Sequence, residues 1–482
     1  MAGGLPSGTP GSRSAFESIM LLLAAGIGSG VMVLPRAMAA VGVPLMTLMF
    51  VFGWLISSLT TWILFRAVAD SRSQPESIMT ISSRLLSGST PNMLGLISPQ
   101  ALGSELDPHD PHDPHAPFLS PGGGAHSVLE RKRSTSVYDY KDRKRTKETA
   151  RPTLSLPLPG PSYGDLLAMV WIPKMMVFLD LVLLVHQQLA LTVYFLFISQ
   201  FVAKLPYLSD CPRDLFILLI SVPATKLAQL ESIGGLARFA SISPAVLLFM
   251  MCGIFWRWLF PDNMAPADFS HGPDPATAPA VMCIAVFSFM WHTNCVTVAR
   301  ELQDPSPTRC CLVVFVSTTV LLAAYTSLAF FGYETFGQRL RTVPTIMMLY
   351  SANDPIFMVV RFLLSISLFV AIPLNVYPVR ESVLSLIRHN FPKYLDRVVN
   401  HQDFLSSILV VLPAILAINF PDVTQIITVI GGSLVSFLMI VFPVFIGELV
   451  LPMWVVWILQ ALAVVLVTFL ITASLGLYGK PV

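Results

Sequence analysis

The sequence predicts an all-α integral membrane protein with eleven transmembrane helices. Two observations carry that prediction. Of its 482 residues, 54% are hydrophobic and 12% charged, against about 25% charged in an average soluble protein, and the mean hydropathy is +0.70. The apolar residues are also gathered into stretches near the ~20 residues that a helix needs to cross a bilayer. Those stretches are 17–43, 44–69, 174–203, 213–230, 234–260, 278–299, 309–332, 355–380, 404–420, 424–446 and 452–476. The fourth is the weakest, because its apolar run meets Pro223 and then Lys226. A net charge of +2 offers no basic surface pointing to nucleic acid. The six cysteines are scattered along the chain, with neither disulfide nor metal-site spacing.

The organisation follows: an N-terminal tail over 1–14, two spans over 15–72, a loop over 73–160, and the remaining spans over 161–482. The tail has no apolar core of the kind a cleavable signal needs. The loop is rich in Ser, Pro and Gly and repeats Asp-Pro-His three times over 107–115. Such a segment buries too little apolar surface to offset its ordering entropy, so it reads as disordered. Its basic run from Arg131 to Arg151, with Arg388, Lys393 and Arg397 after the eighth span, places those loops and the N-terminus in the cytoplasm. The same run suits anionic lipid, and Ser134-Thr135-Ser136 after Arg131-Lys132-Arg133 suits a basic-directed kinase.

The first span holds the most informative stretch, Gly26-Ile27-Gly28-Ser29-Gly30. Each glycine inside a helix costs about 1 kcal/mol against alanine, so the run predicts a broken span. Broken backbone at membrane depth is tolerated where it is buried in protein or lines a cavity. Amides freed at a half-helix N-terminus favour an anionic group. The spacing of Gly26 and Gly30 also fits close helix packing. Pro35 in this span, and Pro373 and Pro378 in the eighth, mark expected kinks or breaks.

From Gly26 to Met38 the pattern Gly-x-Gly-x-Gly-(x)4-Pro-x-Ala-Met resembles the amino acid/auxin permease (AAAP) family of the APC superfamily, which includes sodium-coupled neutral, proton-coupled and vacuolar amino acid transporters. Tyr163-Gly164-Asp165-Leu166, Phe287 to His292, Glu301 to Ser306, Pro373 to Arg380, and Phe420 to Phe445 are similar to further motifs of that family, in its order. The resemblance implies a LeuT-type fold. In it, spans one to five and six to ten form an inverted repeat, spans one and six are discontinuous, and the eleventh span is peripheral. No glycine or proline interrupts 281–300, so a break in span six rests on the resemblance alone.

The expected site follows. Backbone groups from Gly26 through Ile27, Gly28 and Ser29 to Gly30, with the Ser29 hydroxyl, would hold a substrate carboxylate. Carbonyls from Ser288 to Trp291 would take its amino group, Phe289 and Trp291 would shape the side-chain pocket, and Tyr194 would cap it. Ionisable groups at membrane depth are expensive and mark function by default, which makes His292, Asp180 and His186 candidates for proton coupling. A buried histidine holding a carbonyl is the plain alternative for His292. Arg36 departs from the family, which has an uncharged residue there; it either lines the outer vestibule or pairs with a loop carboxylate.

The sodium-coupled branch has an asparagine where this chain has Ala24, and a threonine just before the span-eight proline, where this chain has Phe369 to Ile372. Those changes remove oxygen ligands and favour H+ over Na+, with no other cofactor. The expected function is therefore secondary transport of neutral amino acids by alternating access, at the plasma membrane or a lysosomal or vacuolar membrane. The alternative is an amino-acid sensor signalling through 73–160. The motifs of membrane-embedded enzymes, His-Glu-x-x-His and Gly-x-Ser-x-Gly, are absent, and no filter sequence suggests a channel.

Overall fold

The computed structural model describes residues 13–27, 29–73, 163–170, 174–206, 210–229, 242–261, 265–270 and 272–477. All belong to one compact unit, Met1–Ser83 with Leu158–Val482. The second unit, Arg84–Pro157, lies wholly outside the described residues, and with it the expected disordered loop and the kinase site at Ser134–Ser136. The described residues are helical, with two isolated β-bridges, Arg13 to Leu302 and Asp268 to Gly337.

The first span is two helices. α1 (Ala15–Gly26) opens with a capping box: Ser14 accepts from the Glu17 amide at 3.2 Å, and Glu17 accepts from the Ser14 amide at 2.9 Å. A 3-10 turn over Ser29–Val33 leads into α2 (Leu34–Val41), and the two halves are bent by 55°. Pro35 stands at the first turn of α2, where its missing N–H would have had no helical partner anyway. Gly42 then turns the chain at φ 85°, a conformation that glycine reaches without steric cost, and α3 (Val43–Ser73) runs back across.

α4 (Tyr163–Val170) is short. There follow α5 (Lys174–Val202), α6 (Arg213–Ala228) and α7 (Ile242–Leu259). α8 (Ala278–Ser288) and α9 (His292–Glu301) make up the sixth span, broken over three residues. α10 (Pro307–Phe336) and α11 (Pro355–Asn390) are long and unbroken. Pro373 and Pro378 fall inside α11 without breaking it. α12 (Gln402–Asn419) precedes α13 (Val423–Gly432), whose span continues through a π turn, Phe437–Val441, to Ile446. α14 (Met453–Ser474) is last.

Among the described residues, eight helices are long and apolar enough to cross a membrane, or nine if the bent first pair is one span. This is fewer than the eleven expected. α6 has 16 residues and carries Asp214 and Lys226 near its ends. The apolar helix Ser243–Leu259 is likewise short, and 230–241 before it lie outside the described residues.

Burial separates the helices. Of the most apolar window in Pro275–Glu301, 78% is buried, against 22% in Met453–Ser474. The sixth span is thus central, while α14 turns Trp457 and Val465 outward, an exposed apolar face that suits a lipid environment. The central helices approach closely through glycine. A Cβ on Gly431 would strike the Cys283 carbonyl of α8, and one on Gly432 would lie 2.5 Å from the Leu470 carbonyl of α14.

Candidate functional site

Both broken spans leave backbone groups that need new partners. At the first break, the Gly26 carbonyl accepts from the Tyr325 hydroxyl of α10 at 2.6 Å. At the second, the Phe289 and Met290 amides fold back onto the Val286 and Phe287 carbonyls at 3.2 Å each. The Phe289 carbonyl accepts from the Ser57 hydroxyl of α3 at 2.9 Å. Trp291 donates through Nε1 to Thr61 Oγ1 at 3.0 Å. His292 Nε2 lies 2.8 Å from Thr60 Oγ1 and 3.3 Å from Thr61 Oγ1. Hydroxyls on α3 thus hold the sixth-span break, which explains why neither glycine nor proline announces it.

The two breaks face each other. A Cβ on Gly30 would lie 2.8 Å from the Phe287 ring and 2.9 Å from Ser288 Oγ, and one on Gly26 3.0 Å from the Trp291 ring. These glycines therefore serve close packing as well as the break. Between the breaks and α5 lies a cavity of about 60 Å³, lined by Ala25, Gly26, Gly30, His186, Gln187, Ala190, Tyr194, Phe287, Ser288, Met290, Thr293, Asn294 and Asn375. One water needs about 10–15 Å³ on that measure, so there is room for several. No Asp, Glu, Lys or Arg is among the lining residues. Asn294 is exposed, which opens the cavity on that side.

Of the residues singled out in the sequence, Gly26, Gly30, Tyr194, Ser288 and His186 come together at this cavity. Ile27 caps α1, its amide on the Leu23 carbonyl at 3.0 Å. Gly28 and the Ser29 side chain lie outside the described residues. Phe289 and Trp291 are fully buried behind the cavity: Phe289 packs edge-on against Phe50 and Tyr325. His292 is buried there too, with its ring stacked on Trp291. Asp180 accepts from Ser385 Oγ at 2.7 Å, two turns of α5 away from Gln187. Arg36 donates to the Val343 carbonyl of the loop after α10 at 3.0 Å.

Gln187, Asn294 and Asn375 line the cavity as well and are not among the residues the sequence singles out. The signal was available: amides inside apolar spans are uncommon enough to mark interhelical contacts or sites. Asn375 is anchored through Nδ2 to the Ala371 carbonyl at 2.8 Å.

Chemically, the cavity is ringed by half-helix ends. α1 and α8 end there, and α9 begins there. Helix C-termini carry partial negative charge and N-termini partial positive charge. Both ends of a zwitterion thus find a complementary field without any charged side chain. Among the described residues, no hydrogen bond ends on the Ser288 or Met290 carbonyl, which leaves two acceptors at the cavity.

Two discontinuous apolar helices enclosing an uncharged polar cavity, among eight or nine helices able to cross a membrane, define a polytopic membrane protein. The chain belongs to the family of transmembrane amino acid transporter proteins, which matches residues 160–479. It is 29% identical over 162 residues to sodium-coupled neutral amino acid transporter 4 of Homo sapiens, covering 33% of this chain and 29% of that protein. It is 34% identical over 109 residues to putative amino acid transporter AAT1 of Toxoplasma gondii, covering 23% and 15%. To putative sodium-coupled neutral amino acid transporter 8 of Xenopus tropicalis it is 26% identical over 161 residues, covering 33% and 36%. The matched stretches thus span little more than a third, at most, of these relatives' lengths. The family and these relatives are transporters, not enzymes.

Proposed function

We propose that this protein is a secondary transporter of neutral amino acids working by alternating access, with the cavity between the two broken spans as its substrate site. The observation that carries the reading is a zwitterion-sized polar cavity without a charged lining residue. A cationic or acidic side chain would there be desolvated without a partner, at a cost of several kcal/mol. The substrate carboxylate lies on the glycine break from Gly26 to Gly30, and its amino group on the carbonyls of Ser288 and Met290. We assign the chain a LeuT-type 5+5 arrangement. Spans one to five are α1–α2, α3, α5, α6 and α7; spans six to ten are α8–α9, α10, α11, α12 and the helix from Val423; α14 is the eleventh.

The N-terminus is cytoplasmic, on the loop-charge argument. Coupling is to protons rather than sodium. Ala24 and the run Phe369 to Ile372 supply no side-chain oxygen, and a hard cation requires oxygen ligands.

The test is uptake in proteoliposomes across a panel of radiolabelled amino acids, with proton or sodium gradients imposed separately. Accumulation of neutral amino acids under an inward proton gradient is expected. Sodium-dependent uptake indifferent to pH overturns the coupling assignment, and no uptake of any panel member overturns the transport reading.

A further inference from the structure

The proton-coupled reading leaves open which group carries the proton, and the cavity points to one. We propose that His186 of α5 is the proton carrier, protonated when a substrate carboxylate enters the cavity and neutral when the cavity is empty. This rests on the transport reading above.

Three groups competed in the sequence, and their surroundings separate them. Asp180 is bonded to Ser385 and does not line the cavity. His292 has its Nε2 on two threonine hydroxyls behind the break; its Nδ1 is also without a partner, but the residue does not line the cavity. His186 does, together with Gly26 and Gly30 across the space. It is only 6% exposed, and its Nδ1 meets no hydrogen-bond partner. A buried imidazole without a partner is costly unless something arrives to use it.

None of the described charges on the elements around α5 lines the cavity; Arg361 of α11 donates to the Met347, Tyr350 and Ser351 carbonyls. α11 carries Arg380, whose guanidinium sits 5.0 Å above the Tyr377 ring and donates to Ser406 of α12 at 3.4 Å. Glu381 follows it, with a side chain outside the described ones. α13 has no ionisable residue; Asp422 before it caps its amides. Asp403 stands in the first turn of α12, Asp214 in that of α6, and Lys226 in the last turn of α6. Asp165 lies on α4, and Glu17 of α1 is bonded to Ser14. Among the described residues no carboxylate lines the cavity to serve as counter-ion, so the incoming carboxylate takes that role.

The balance is simple. Water on the open side gives up one proton, neutral His186 becomes imidazolium, and the zwitterion's carboxylate offsets the new charge. On the far side both leave together. Binding linkage is reciprocal: substrate strengthens proton binding by the same factor as the proton strengthens substrate binding. Above the working pH of His186, the apparent Kd for substrate then rises by up to about tenfold per pH unit.

The test uses the full-length protein and L-glutamine, or the best-transported panel member. In weakly buffered detergent solution with an indicator dye, the wild type should take up one proton per substrate bound. H186Q should take up none, and whatever uptake it retains in proteoliposomes should show a KM flat with pH. H186E restores a titratable group, so its proton uptake should return at a displaced pH. Two results overturn the proposal: H186Q still takes up the proton, or the proton is lost in E381Q or H292Q while H186Q keeps it. Wild-type transport without proton uptake overturns this proposal but leaves transport standing. No transport of any amino acid removes both.

Discussion

The Gly26 carbonyl, which an unbroken helix would pair with the amide of residue 30, takes the Tyr325 hydroxyl instead, and the Phe289 carbonyl takes Ser57. Both acceptors are deeply buried, so removing either donor leaves an unsatisfied group, at about 1–3 kcal/mol. Y325F and S57A are each expected to lower the detergent-solubilised melting temperature, and Y325F also to reduce uptake, because Gly26 lines the cavity. A melting curve unchanged in both variants would show that the breaks hold themselves. Glycine gives a graded series at the same scale. A Cβ on Gly432 meets backbone at the Leu470 carbonyl, whereas one on Gly26 meets the movable end of Leu321 at 2.5 Å. G432A should therefore lose most folded protein on size-exclusion chromatography, and G26A less. The glycine break was legible from residue type alone. Gln187, Asn294 and Asn375 were not singled out, because an uncharged amide raises no electrostatic alarm.

Among the elements, the half-helices α1 and α9 are joined. The Arg13 amide donates to the Glu301 carbonyl at 3.0 Å, and the Gln303 amide donates to the Arg13 carbonyl at 2.8 Å. The Arg13 and Glu301 side chains form an ion pair, with Glu301 nearly buried. The start of α1 and the end of α9 are thus tied to each other. R13A and E301Q should each raise the rate of uptake or of leak, and a double-mutant cycle on melting temperature should show coupling of roughly 0.5–3 kcal/mol. Additive effects would sink the idea of a joint unit. Element type was readable at every apolar stretch, because hydropathy and length decide it. The break between α8 and α9 was not readable locally, since its cause is Ser57, Thr60 and Thr61 on another helix. α6, the weakest of the expected spans, is short because its apolar run extends only as far as its charged ends permit.

For the molecule as a whole, the question is which side the cavity faces. Asn294 both lines it and is exposed. It sits on α9, and just beyond the end of α9 the Leu302 carbonyl accepts from Arg72 at 2.9 Å. Arg72 opens the segment that carries the basic run to Arg151, and basic loops stay in the cytoplasm. The loop charges therefore predict a cavity that opens to the cytoplasm through Asn294. The check is cysteine accessibility. Cys211, Cys252 and Cys311, which are not buried, are first replaced by serine, and N294C is introduced. A membrane-impermeant thiol reagent should modify N294C from the cytoplasmic face of inside-out vesicles and far more slowly from the other face. A transported amino acid should slow that reaction, since side chain and substrate share one space. Modification from the outer face alone would invert the assigned topology, and modification indifferent to substrate would separate this cavity from the transport path.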